Sequence, residues 1–256
     1  MLHNSVTAFG AASDACRRFR ARGGLVVLLS NAPRPGHVVQ QYLEKLKVPR
    51  DAYDAIVTSG DLTRTLVDER RGEPLFHLGP ERDILLFEGL GARFTDASHA
   101  RLVVCTGLFD DEHETAEDYA AMLRALAARN VPMICANPDV TVERGERVVY
   151  CAGALAEAYE RLGGSVSYAG KPHLPVYAMV LERITKLKGC AVPKTRMLAI
   201  GDGIRTDIRG AANLGVPSLF IASAIHVDGP MDRATLNRLF AGSDARPIAA
   251  MPALAW

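Results

Sequence analysis

The sequence predicts an α/β protein: a doubly wound, Rossmann-like parallel sheet with a second α/β domain inserted into it. Three observations carry this. Continuous apolar runs of strand length recur, as expected of parallel strands buried on both faces. Amphipathic helical segments alternate with them. The alternation changes character between residues 72 and 165, where an acidic stretch, "LFDDEHETAEDY", sits among further strand-sized runs. The expected organisation is a core over 1–71 and 166–256 with an inserted domain over 72–165.

In order, residues 8–22 read as a helix stopped by Gly23-Gly24, and "LVVLLSN" (25–31) as a buried strand. "APRPG" is a turn and "HVVQQYLEKLKVP" an amphipathic helix ending near Pro49. "AIVTSG" (55–60) is a short strand, with Asp61 expected to cap the next helix. In the middle, "LFHLGPE", "RLVVCTG" and "PMICANPD" are strand-like and "AAMLRALAARN" is helical. Beyond it, "SVSYAG" (165–170) is a strand and "LPVYAMVLERITKLKG" a helix closed by Gly189. "RMLAIGDG" and "PSLFIAS" are buried strands flanking a helix over 207–214.

Composition narrows the function. Lys plus Arg (30) nearly balances Asp plus Glu (29), so no basic surplus argues for nucleic acid and no charge block for a membrane surface. No apolar run approaches the ~20 residues that span a bilayer. The first residues carry no apolar signal core, and a cytoplasmic protein is expected. The five cysteines form no C-x-x-C pair, which points to reduced, mostly buried thiols rather than zinc or dithiol chemistry. The seven histidines show no metal-type spacing; His173 alone lies near a candidate site.

In an open parallel sheet, ligands bind beyond the carboxyl ends of strands. Four such ends carry polar residues: Ser30-Asn31, Thr58-Ser59, Gly170-Lys171, and Asp202 with Asp207. Ser30 and Asn31 suit phosphate oxygens, or simply end a strand. Lys171 is a point charge for a phosphate, or a solvated loop lysine. Asp202, between Gly201 and Gly203 after an apolar run, suits Mg²⁺, which takes one or two carboxylates plus phosphate and water oxygens. Asp207 can orient Lys171 or the metal's waters; as punctuation, Asp202 is a turn residue and Asp207 or Thr206 an N-cap. Residues 136–150, with Asn137, Asp139 and Arg144, read as a substrate-facing loop or an exposed hairpin.

The ordered set "LLSN", "AGKP" and "GDGIRTDI" resembles the haloacid dehalogenase superfamily of phosphohydrolases. The likeness is to its class IIA branch, with a large α/β cap between the second and third motifs, which includes 4-nitrophenyl phosphatase-like and sugar or nucleotide phosphatases. The resemblance implies roles. Ser30 would hydrogen-bond the transferring phosphoryl group and Asn31 would shape its pocket. Lys171 would neutralise charge, Asp202 would ligate Mg²⁺, and Asp207 would support the metal and Lys171. It implies a small phosphorylated metabolite as substrate, an aspartyl-phosphate pathway, and homodimer contacts through the cap. The family's first motif, D-x-D-G, holds the nucleophile and the acid/base aspartate. It is not in this sequence, which starts in a segment, "MLHNSVTAFGAA", resembling the stretch that follows that motif. The expectation is that the motif lies before Met1, with its central strand; the alternative is a non-catalytic relative that binds phosphorylated ligands.

Overall fold

The computed structural model describes residues 2–3, 6–144, 147–222 and 232–256, with the backbone alone at 143 and 144. His226 lies outside the described residues. In chain order the elements are α1 (Gly10–Ala21), β1 (Val27–Ser30), α2 (Gly36–Lys45), β2 (Ala55–Thr58), α3 (Ser59–Asp68), β3 (Pro74–Leu78), β4 (Arg93–Phe94), β5 (Leu102–Cys105) and α4 (Ala120–Ala128). They continue with β6 (Met133–Cys135), β7 (Thr141–Arg144), β8 (Arg147–Tyr150), α5 (Ala152–Arg161), β9 (Val166–Tyr168) and α6 (Leu174–Lys188). The last are β10 (Ala199–Gly201), α7 (Arg209–Leu214), β11 (Ser218–Ile221), α8 (Arg233–Leu239) and β12 (Ala249–Met251). The alternation of strand and helix is the one the apolar runs predict. Strands β1 and β2 pair with each other.

The chain forms two compact units. One comprises Met1–Leu28, Gln40–Ile56 and Lys171–Trp256. Its sheet is parallel, in the order β10-β11-β12, with Ile200 opposite Leu219 and Phe220 opposite Ala250. Its small core gathers Ile208, Phe220, Ala222, Phe240 and Ala245. Phe220 and Phe240 meet edge to face at 5.2 Å, a favoured aromatic geometry. Helix α6 ends at Gly189, whose φ of 72° is the left-handed cap a glycine adopts freely. Near α1, the Arg20 guanidinium and the Val26 N–H both donate to Asp54, at 2.6 and 2.8 Å. Burial opposes ionisation of Asp54, but these donors outweigh it and hold its pKa below the usual value.

The other unit comprises Leu29–Val39 and Val57–Gly170. Its five-stranded sheet is parallel throughout, in the order β4-β3-β5-β6-β9. Strand β5 (LVVC) is buried along its whole length, which is why it reads as an unbroken apolar run. Leu78, Val103, Cys105, Leu123, Leu126, Met133, Leu155 and Tyr159 are part of one core. The Tyr159 hydroxyl donates to the Val131 carbonyl at 2.6 Å, so the ring is buried without stranding its polar end. Strands β7 and β8 form an antiparallel pair. The expected capping role of Asp61 is placed differently: Thr58 is the N-cap of α3, and Asp61, three residues on, completes a reciprocal capping box.

No helix among the described residues is long and apolar enough to cross a membrane. None of the five cysteines is in a disulfide, and Cys105, Cys135 and Cys151 are buried.

Candidate functional site

All four polar segments named above fall at or just beyond the carboxyl end of a strand. Ser30 ends β1, Thr58 ends β2, Gly170-Lys171 follows β9, and Asp202 follows β10.

In the first unit, the turn after β10 is built by close approach. A methyl group on Gly201 would lie 2.2 Å from Asp207 Cβ, and one on Gly203 would lie 2.1 Å from Thr206 Oγ1. A side chain at Gly201 would push on the root of the Asp207 side chain, and one at Gly203 would displace the Thr206 hydroxyl. The helix expected over 207–214 is not regular from its start: Ile204–Ile208 is a π turn, with the Ile208 N–H donating to the Gly203 carbonyl at 3.0 Å, and α7 begins at Arg209. The wider turn carries Asp207 back towards the strand end. Both of its carboxylate oxygens are used: Oδ2 accepts from the Gly203 N–H at 3.1 Å and Oδ1 from Lys171 Nζ at 2.7 Å. The Lys171 and Asp207 side chains are only 13% and 18% exposed. Asp207 therefore fixes the ammonium of Lys171 rather than capping a helix. Tyr177 stands beside the pair. Burial pushes its phenol pKa up; Lys171 opposes this and Asp207 adds to it. His173 takes the N-cap position of α6, without a side-chain cap bond.

In the second unit, Ser30 Oγ accepts from the Ala32 N–H at 3.2 Å, closing the turn after β1. Asn31 is buried. Its amide donates to Asp139 Oδ1 at 3.0 Å and its carbonyl oxygen accepts from Ser59 Oγ at 3.4 Å. Asn137 Oδ1 accepts from the Asp139 N–H at 3.1 Å, ordering the "NPD" turn. A methyl group on Gly170 would meet Ser59 Oγ at 2.1 Å and Asn31 Oδ1 at 2.6 Å, so backbone closes directly on these polar groups. Asn31, Ser59, Asn137 and Asp139 are thus one hydrogen-bonded cluster. The hairpin among residues 136–150 is β7–β8, and Asn137 and Asp139 precede it. The side chain of Arg144 lies outside the described residues.

Mg²⁺ is the metal the sequence implies. Among the described residues no group of three or more His, Cys, Asp or Glu side chains is placed to hold a metal. A hard cation of this kind draws many of its oxygens from substrate and water. Asp202, held at a strand end by two close-packed glycines, supplies one carboxylate of the right chemistry for that partial site.

Two charged residues escaped the sequence reading. Asp83 is buried and pairs with Arg34 at 3.3 Å. Arg34 sits in "APRPG", which reads as a turn and nothing more. Tyr177 was likewise indistinguishable from any apolar position of its helix.

A family model described as haloacid dehalogenase-like hydrolase matches residues 1–93, and one described as HAD-hydrolase-like matches residues 168–238. No curated protein matches in sequence. Among solved structures, a hydrolase of the haloacid dehalogenase-like family from Brucella suis is 44% identical, with a TM-score of 0.87 over 99% of this chain and 92% of that one. The p-nitrophenyl phosphatase of Archaeoglobus fulgidus (18% identity, TM-score 0.72, 99% of this chain and 92% of that one) shares the fold. So does the 4-nitrophenylphosphatase of Thermotoga maritima (24%, 0.73, 99% and 91%). With its ordered motifs and a relative of this identity over nearly its whole length, the chain belongs to the haloacid dehalogenase-like family of hydrolases.

Proposed function

We propose that the protein is a phosphatase of small phosphorylated metabolites. The observation that carries this is the Lys171–Asp207 pair, fixed next to Asp202 by a turn whose Gly201 and Gly203 pack closely against Asp207 and Thr206. Lys171 is a cation held in place by Asp207, a point charge of the sign that suits a phosphoryl group. Ser30 and Asn31 offer a hydroxyl and an amide to phosphoryl oxygens. Asn137 and Asp139, tied to Asn31, take the rest of the substrate. Asp202 would hold Mg²⁺, which withdraws charge from a phosphoryl oxygen when bound. Positioning and charge neutralisation are the main work of phosphoryl transfer. In this reading a carboxylate attacks phosphorus, the alcohol leaves, and water then cleaves the acyl phosphate. No D-x-D occurs in the 256 residues, and no residue of these is assigned as the attacking carboxylate.

Residues 72–165 act as the inserted cap in the same reading. Support comes from the core whose buried members, from Leu78 to Tyr159, all lie within these residues. The near balance of charge favours a small-molecule substrate over nucleic acid or membrane, in a cytoplasmic protein with a cap that can dimerise.

The test is turnover of 4-nitrophenyl phosphate with Mg²⁺ by the 256-residue chain and by a chain extended upstream. Turnover is expected only in the extended form. There, Lys171→Ala and Asp202→Asn should each lower kcat/KM by roughly a hundredfold or more, with the circular dichroism spectrum retained. Activity within a few-fold of wild type in either variant sinks the assignment. The lack of a D-x-D motif also favours a second reading, a phosphate-ligand binder. That reading gains if neither chain turns over while phosphorylated metabolites raise Tm.

A further inference from the structure

A cleft of about 600 Å³ opens in the first unit, between the start of α1 and the end of α2. That is the size of a small-ligand site. Its lining comes from residues 6–17 and 45–49, all of them in that one unit.

The start of α1 leaves polar groups without partners. Its N-cap is Phe9, whose ring accepts no hydrogen bond from the helix, and no acid stands in the first turn. The N–H groups of Gly10, Ala11 and Ala12 precede the first helical bond and go unused by it, and the helix dipole gives this end a partial positive charge. Nothing lies within 4 Å of where a methyl group on Gly10 would sit, so the approach is open. Ser13 comes next. Its N–H donates to the Phe9 carbonyl at 3.1 Å. Its hydroxyl has no hydrogen-bond partner, although the residue is only 2% exposed. Buried hydroxyls are nearly always satisfied, and Ser13 is part of the wall of the cleft.

The charges around the cleft do not cancel. Asp14 and Arg17 line it, but each is matched: Arg18 pairs with Asp14 and Asp51 with Arg17, both at 2.8 Å. Lys45 and Lys47 line it too, and among the described residues neither is in an ion pair. Lys47 holds its place against its own backbone. At the end of α2 the Val48 N–H donates to the Leu43 carbonyl and the Lys47 N–H to the Glu44 carbonyl, both at 2.9 Å. This closure puts Lys47 in the left-handed region, at φ 62°, where glycine sits with less strain. Leu46 and Pro49 add an apolar flank.

We propose that this cleft binds a phosphate monoester. The anionic head sits at the α1 N–H groups and the Ser13 hydroxyl, faced by Lys45 and Lys47, and the organic part lies against Leu46 and Pro49. Helix-start N–H groups joined by lysine point charges suit a phosphate. The proposal goes beyond the phosphatase reading and does not rest on it.

The test is titration of the 256-residue chain with inorganic phosphate and with phenyl phosphate in EDTA, followed by amide NMR at Gly10, Ala11 and Ala12. These signals should shift and saturate with either ligand, and not with chloride at matched ionic strength. Phenyl phosphate should bind about fivefold more tightly than phosphate, through its ring. Lys47→Gly should weaken binding about tenfold, the scale of a charge-assisted hydrogen bond, while keeping or raising Tm, because glycine suits the left-handed position. Ser13→Ala should weaken it roughly fivefold without lowering Tm, since the hydroxyl it removes has no partner in the fold. A structural role for either residue predicts the reverse: a lower Tm and unchanged affinity. Lys171→Ala should leave the response of Gly10–Ala12 intact, so failure here and failure of the phosphatase reading are told apart. Absent shifts, unchanged affinity in both Lys47→Gly and Ser13→Ala, or a response lost in Lys171→Ala overturns the proposal. Equal affinity for the two ligands overturns the assignment to a monoester.

Discussion

The two units carry their polar clusters in different ways. In the unit with β10–β12, site and core are the same residues: Ile208 belongs to the π turn that presents Asp207 and also to the small core with Phe220 and Phe240. In the unit with the five-stranded sheet, a large apolar core lies under β5, β6, α4 and α5. The Asn31, Ser59 and Asp139 cluster is fastened outside it by hydrogen bonds. The difference teaches that chemistry and stability are separable in one unit and fused in the other. Substitutions near Asp207 should disturb both at once, whereas the sheet unit can lose core packing and keep its polar cluster, or the reverse.

The largest effect expected is on the sheet core. Leu155 is fully buried in α5. Leu155→Ala should cost about 2–5 kcal/mol, as lost transfer free energy plus a cavity, read as a lower urea midpoint. A loss under 1 kcal/mol would mean that this core is looser than it is drawn here.

Fusion of site and core predicts a smaller but double effect at Gly201. Gly201→Ala should destabilise by about 1–3 kcal/mol through overpacking, because a methyl group there runs into Asp207. It should also weaken phosphate binding by moving Asp207 off Lys171. Calorimetry with inorganic phosphate beside a melting curve checks both, and one change without the other breaks the contrast.

The third test is of pH. Burial holds the His77 imidazole down to about 4 from its ordinary 6.5. The folded protein thus binds this proton less readily than the unfolded chain. Its contribution is present above pH 6.5 and is lost as pH falls towards 4. Between pH 7.5 and 5 the loss is about 2 kcal/mol. His77→Gln should flatten that part of the urea-midpoint profile; an unchanged slope would assign the acid sensitivity to other groups.

Strands β5, β6 and β11 were legible because burial on both faces leaves an unbroken apolar signature. Gly189 was legible because a left-handed cap selects glycine. The tip of β10 showed itself through a carboxylate between two glycines, and the structure explains both as room for Asp207 and Thr206. The π turn was not legible: its extra residue comes from the tertiary fit of Asp207 between Lys171 and the Gly203 N–H, not from local propensity. Strand β4 is two residues long and exposed, too short to show a period. Asp83 was hidden because its partner lies 49 positions away. An acid inside "ERDILLF" looks like any other until its burial is known.

The cysteines give the molecule a means of reporting on itself. Burial lifts the Cys105 thiol to about 12 and raises that of Cys135 as well, so neither is a useful nucleophile while the sheet is closed. Cys190, just past α6, is exposed. Alkylation should therefore mark Cys190 at once and reach Cys105 and Cys135 only during excursions that open their sheet. The slow phase of that labelling is a clock for those openings, readable without adding a probe.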